Sequence, residues 1–198
     1  MRIGVFGGAF NPVHNGHVKL ASSYIESLNL DKLIVIPTAN PPHKSSKDLI
    51  DGKDRLFMLN LAFKDVEKVE ISDIEFNRQG KSYTYDTLLE LKNIYNDADF
   101  YLIIGADQFM SFNKWYKYDE ILKEVTLCTA AREENMRDSL KDFSKKLLKD
   151  NHCYIADFDP IVVSSSEIRE NLKNNIDISF LIPKNVYNYI IEKGLYGV

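Results

Sequence analysis

Six short β-branched runs punctuate the chain, with helix-patterned segments between most of them. The runs are RIGVF (2–6), KLIVIP (32–37), VEKVEI (66–71), DFYLIIG (99–105), VTLCTA (125–130) and CYIADF (153–158). Helical spacing of apolar residues marks 16–28, 53–64, 84–95, 117–124 and 136–149. Strands alternating with helices of this length predict βαβ units, a parallel sheet and right-handed crossovers. LIVIP and YLIIG are apolar on both faces, as strands covered by helices on both sides must be.

After residue 160 the pattern changes to two expected helices, 165–173 and 184–193, with no clear strand. The expected fold is therefore α/β: a Rossmann-like, doubly wound parallel sheet over 1–160 with a C-terminal helical extension over 161–198. All 198 residues are read as one domain, a length ample for a two-layered core. The formal net charge of −4 argues against a general nucleic-acid binder, but an anionic small substrate needs only a few basic residues that converge. Cys128 and Cys153 form no CxxC pair and read as small core residues of a reducing compartment. The lysine-rich segment 139–150 places Leu140, Phe143, Leu147 and Leu148 on one face, so an amphipathic helix with a solvated basic side explains it. Arg2 leads straight into a strand-like run and no stretch has membrane-spanning length. A cytoplasmic protein is expected, with no membrane or nucleic-acid partner; a homo-oligomer is compatible with the sequence.

The first run is followed at once by GGAFNPVHNGH, Gly7 to His17. In open parallel sheets ligands bind beyond the carboxyl ends of strands, where the strand order reverses. The segment fits neither GxGxxG nor GxxxxGK[ST]. Gly7 and Gly8 let a ligand come close to the backbone, and Asn11-Pro12 turns the chain. His14 and His17 fall in the first turn of the next helix, where both rings can face one point at the positive end of the helix dipole. A polyphosphate suits such a cradle. A zinc site is the other reading of two histidines, with no third ligand at a suitable spacing.

A second constellation lies at VVSSSEIREN, 162–171. Ser164 with Glu167 reads as a capping box opening a helix. Ser164, Ser165 and Ser166 with the turn's amides offer donors, and Arg169 adds a fork suited to phosphate. Two anion-binding helix starts in one small domain favour a triphosphate between them.

GGAFNPVHNGH resembles the HxGH signature of the nucleotidyltransferase superfamily, and VSSSEIR its partner motif, usually ISSTxIR. Within it the chain is most similar to the bacterial nicotinate mononucleotide adenylyltransferases, through PPHK (41–44), SYTYDTL (82–88), GAD (105–107) and WY (115–116). The likeness runs over essentially the whole length. Departures are Ala9 and Asn11, where the family usually has GGTFDP, Ser166 for a threonine, and Glu133 after Arg132 where proline is usual. The resemblance implies transfer of the adenylyl group of ATP to nicotinate mononucleotide, giving the deamido dinucleotide and pyrophosphate. It implies catalytic His14, His17 and Arg169. It implies an ATP site of Gly7, Gly8, Ala9, Phe10, His14, His17, Gly105, Ser164, Ser165, Ser166 and Arg169. The mononucleotide would meet Lys44, Thr84, Asp107, Trp115, Tyr116 and Arg132. Mg²⁺ would be held mainly by substrate phosphates, with no metal site of the protein's own. A sensor module that keeps the fold without turnover is the rival from another class, and a hydride-transfer enzyme is weakened by the missing GxGxxG.

Overall fold

A computed structural model describes residues 1–42, 49–131, 134–148, 153–158, 161 and 163–198. Six strands form one sheet: β1 (Arg2–Gly8), β2 (Lys32–Pro37), β3 (Val69–Ile71), β4 (Asp99–Ile103), β5 (Val125–Ala130) and β6 (Cys153–Ala156). Their order is β3-β2-β1-β4-β5-β6, and every pairing is parallel. The chain winds outward from β1 to β3, then returns to the other side of β1. That reversal puts a crevice at the carboxyl ends of β1 and β4.

Alternation along the strands divides the core in two. Ile3, Val5, Ile34, Ile36 and Leu102 point to one face, whereas Phe6, Leu33, Val35 and Ile103 point to the other. The first face is covered by α3 (Thr84–Ile94), α4 (Ala106–Met110), α5 (Tyr118–Glu124) and α6 (Glu134–Leu148). The second is covered by α1 (Asn15–Ser27), α2 (Gly52–Ala62), α7 (Ser165–Lys173) and α8 (Lys184–Lys193). The C-terminal helices share that core: Ile168, Leu172, Val186 and Ile190 are buried in the cluster that holds Phe6 and Phe10.

The expected strands and longer helices are present, with shifted ends. β3 starts at Val69, because Val66 N–H closes a turn onto Phe63 O and Lys68 takes a left-handed conformation. β4 stops at Ile103, because Gly105 leaves the ladder to cap α4. That five-residue helix is too short to show a period, as are the 3₁₀ turns Ile74–Asn77, Phe112–Lys114 and Leu195–Gly197. The lysine-rich segment is helical as far as Leu148, with Leu140 buried and Phe143 and Leu147 packed half-buried beside it. Both cysteines are thiols; Cys128 is fully buried and Cys153 partly, and burial pushes each thiol pKa up. No described helix is long and apolar enough to cross a membrane.

Candidate active site

The crevice begins where β1 outruns its neighbour. Pairing with β2 continues to Gly8, but pairing with β4 ends at Phe6, so Gly7 and Gly8 present an open backbone edge on the β4 side. A Cβ on Gly7 would meet nothing within 4 Å. The glycine leaves room that packing does not use, which is what a close-lying ligand needs.

Beyond it the chain turns through a cis Asn11-Pro12 bond into α1. His14 is the N-cap. Its Nδ1 accepts from the His17 amide at 3.3 Å, and His17 Nδ1 accepts from the His14 amide at 3.2 Å. This is a capping box made by two imidazoles, whose rings stack with centroids 3.5 Å apart. Because each Nδ1 is an acceptor, the ring proton sits on Nε2, and each histidine is an Nε2 donor at a helix start. The sequence suggested backbone amides as anion donors here as well. The Asn15 amide is instead taken by Leu181 O at 2.9 Å and that of His17 by the cap, so the imidazoles carry more of the donor role.

The second motif docks onto the first. Ser164 caps α7, accepting from the Glu167 amide at 3.1 Å, so one half of the expected box is made. Ser165 Oγ donates to Pro12 O at 2.8 Å. Arg169 Nη1 donates to Asn11 O at 2.7 Å, and Nη2 to Ser166 Oγ at 3.3 Å. The approach is tight: a Cβ on Gly16 would lie 2.9 Å from Val163 Cγ1 and 3.0 Å from Ile161 O. Only glycine allows this contact.

Two cavities open over this floor. The larger, about 700 Å³, is lined by His14, His17, Phe10, Ser164–Ser166, Arg169 and Asp107. The smaller, about 260 Å³, is lined by Thr84, Trp115, Tyr116, Tyr83, Glu75 and Gly8. Gly7, Ala9, Pro41, Ile104, Gly105 and Gln108 line both, so the cavities meet at the sheet's reversal point. Asp107, expected with the mononucleotide, lines the cavity that holds the histidines. Lys44 and Arg132 lie outside the described residues. Trp115 packs on Phe112 at 5.0 Å between centroids while lining the smaller cavity, so it is both core edge and pocket wall. Tyr83 stands at the N-cap of α3 and makes no side-chain cap bond, which leaves first-turn amides of α3 for a ligand group beside Thr84.

Two buried charges were not legible as site residues. Arg55, 2% exposed, donates through Nη1 to Ala9 O at 3.0 Å and to Thr38 O at 2.8 Å, and through Nε to Ile50 O at 3.3 Å. Burial holds its pKa below the ordinary arginine value. No carboxylate lies at ion-pair distance among the described residues, so its charge adds positive potential behind the Gly-Gly turn. Glu75 accepts from the Ala39 amide at 3.3 Å and from Thr87 Oγ1 at 2.9 Å, in the wall of the smaller cavity.

Residues 5–171 match the model of the cytidylyltransferase-like family. A Clostridium tetani protein named "Probable nicotinate-nucleotide adenylyltransferase" is 39% identical over 196 residues, covering 97% of each chain. A protein of the same name from Streptococcus pyogenes serotype M1 is 40% identical over 195 residues, covering 98% of this chain and 88% of that one. The solved structure of Plasmodium falciparum nicotinic acid mononucleotide adenylyltransferase, complexed with NaAD, matches with a TM-score of 0.82. That match is 21% identical and covers 98% of this chain and 97% of the other, a likeness of fold.

Proposed function

The chain belongs to the cytidylyltransferase-like family, among its nicotinate-nucleotide adenylyltransferases, and we propose that the larger cavity takes ATP and the smaller takes nicotinate mononucleotide. The 5′-phosphate of the mononucleotide attacks the α-phosphorus of ATP. A phosphoanhydride bond forms, the bond to the β-phosphate breaks, and pyrophosphate leaves with deamido-NAD as the other product. The observation that carries this reading is the meeting of the two cavities at Gly7, Ala9 and Gly105, with the histidines and Arg169 on one side only.

A phosphate is already an anionic nucleophile, so the protein needs no general base. What it supplies is alignment of two anions and donors for the charge that develops between them. His14 and His17 act as Nε2 donors to the ATP phosphates, with His17 at the reacting centre. Arg169 and the Ser164–Ser166 turn hold the leaving pyrophosphate. Trp115 and the start of α3 orient the pyridine ring. ATP and the mononucleotide are metabolites of the cell interior, and we place the reaction in the cytoplasm.

Mg²⁺ fits the larger cavity as a companion of ATP. Among the described residues Asp107 is the one carboxylate lining it, and no group of three or more His, Cys, Asp or Glu suited to a metal occurs among them. A hard octahedral cation would draw its oxygens mostly from phosphates and water, and it supplies charge neutralisation there. Activity is expected to vanish with EDTA and return with Mg²⁺, with no metal in the dialysed protein by elemental analysis. Stoichiometric zinc surviving dialysis would overturn this.

Pyrophosphate release with ATP and a panel of mononucleotides tests the reaction; silence with nicotinate mononucleotide refutes it. Arg169→Lys is a second test. The guanidinium spans Asn11 O and Ser166 Oγ while lining the cavity, and a point charge cannot do all three. kcat/KM for ATP should fall about tenfold or more. A lysine variant equal to wild type would move the phosphate contact elsewhere.

A further inference from the structure

We propose that the last turn of the chain completes the triphosphate side of the site, with Tyr196 as a positioning residue that acts through Asn11. This rests on the larger cavity being the ATP site. Tyr196 takes a left-handed backbone conformation in the turn Leu195–Gly197, which follows α8 and lies against α7. Its Oη donates to Asn11 Oδ1 at 3.0 Å. The same oxygen receives the Ile50 amide at a longer 3.4 Å. Asn11 is 3% exposed and lines the cavity with His14 and Arg169. Its main-chain oxygen is the acceptor that fixes Arg169 Nη1 at 2.7 Å.

The tyrosine therefore stands one residue away from the phosphate-binding guanidinium. Two donors on one amide oxygen fix the Asn11 side chain, and with it the peptide whose carbonyl aims at Arg169. Burial pushes the Tyr196 phenol pKa up, while the neighbouring Arg169 and Arg55 charges act the other way. The net shift is upward, so the hydroxyl remains a protonated donor at neutral pH. A phenylalanine ring would fill the same space; the hydroxyl has its use on Asn11. Neither motif of the opening or the serine-rich turn contains this residue, which lies 185 positions from its partner.

The test is Tyr196→Phe, which removes the hydroxyl alone, with ligand affinities measured by calorimetry. Kd for Mg²⁺·ATP should rise about five- to tenfold, the size of one lost hydrogen bond. Kd for nicotinate mononucleotide should be unchanged, and Tm should stay within a few degrees of wild type. In an Asn11→Ala background the same substitution should add almost nothing, because the path runs through Asn11. Unchanged ATP affinity, an equal loss for both ligands, or an undiminished effect in the Asn11→Ala background would each overturn the proposal. So would a Tm drop above about 10 °C, which would assign the hydroxyl to the fold. Calorimetry needs no turnover, so a wild-type protein that binds ATP but makes no dinucleotide would refute the reaction and leave this inference standing.

Discussion

His17→Ala should lower kcat by roughly 10²–10³ while the protein stays folded. One well-placed donor to developing charge is typically worth that much. The geometry shows why the ring can serve this purpose. Its Nδ1 is committed to the His14 amide, so the tautomer is set before substrate arrives and Nε2–H is the donor. Stacking on His14 with centroids 3.5 Å apart, and an edge contact with Phe10 at 4.9 Å, hold the plane of the imidazole. The substitution also removes half of a capping box, worth about 1 kcal/mol in stability. His17→Gln separates the two effects, because glutamine at the third position of a helix can return the cap bond. The glutamine variant should melt near wild type and still turn over slowly. Near wild-type kcat in either variant would remove His17 from the chemistry.

The second large effect is selectivity for the acid mononucleotide over its amide, expected at roughly 10² or more in kcat/KM. The smaller cavity combines a flat wall, Trp115, with the start of α3 at Thr84 and the exposed Tyr116, tilted against Tyr83 with centroids 4.5 Å apart. The N-cap of α3 has no side-chain acceptor of its own, so the helix start turns amides and the positive dipole end toward a ligand. A carboxylate has two oxygens for such donors. A carboxamide has one, and its NH₂ would face an N–H, leaving a desolvated donor unpaired at about 1–3 kcal/mol. The charge-assisted character of the bond is lost as well. The cationic pyridinium on the Trp115 face adds affinity that both substrates share, so it does not discriminate. Assaying both mononucleotides side by side decides the matter: equal kcat/KM, or a preference for the amide, would overturn the substrate choice and leave adenylyl transfer standing.

The parts of this molecule that were legible in the sequence are those with a short repeat. Leu33, Ile34, Val35 and Ile36 are all buried, and such a run, apolar on both faces, announces a central parallel strand. His14 and His17 were legible for the same reason, since three residues on a helix start put two rings together. Arg55 was not, because KDRLFMLN reads as an amphipathic helix with a solvated arginine, and its burial depends on carbonyls at Ala9, Thr38 and Ile50. Glu75 lies in a 3₁₀ turn without period, and its partners Ala39 and Thr87 come from two other segments. Asp107 sits close to the boundary between cavities, where one turn of chain decides which ligand it faces. Local spacing says which residues share a face; it carries no record of which distant backbone oxygen will need a donor.

The docking of the serine-rich turn on the opening loop sets a clock on assembly. Pro12 waits for Ser165, 153 positions later, and Asn11 for Arg169, 158 later. During synthesis the first strands emerge and can pair long before those partners exist. A nascent chain therefore has a sheet before it has a nucleotide pocket, and a prematurely ended one never acquires it. In the finished protein the proposed ATP site would make the nucleotide a clasp. With the larger cavity as its site, ATP would bridge the earliest and latest segments and, at about 100 times its Kd, would oppose detachment of the C-terminal helices by about 2.7 kcal/mol. The tail is also held by its own apolar residues, since Ile168, Leu172, Val186 and Ile190 are buried in the core that covers one face of the sheet.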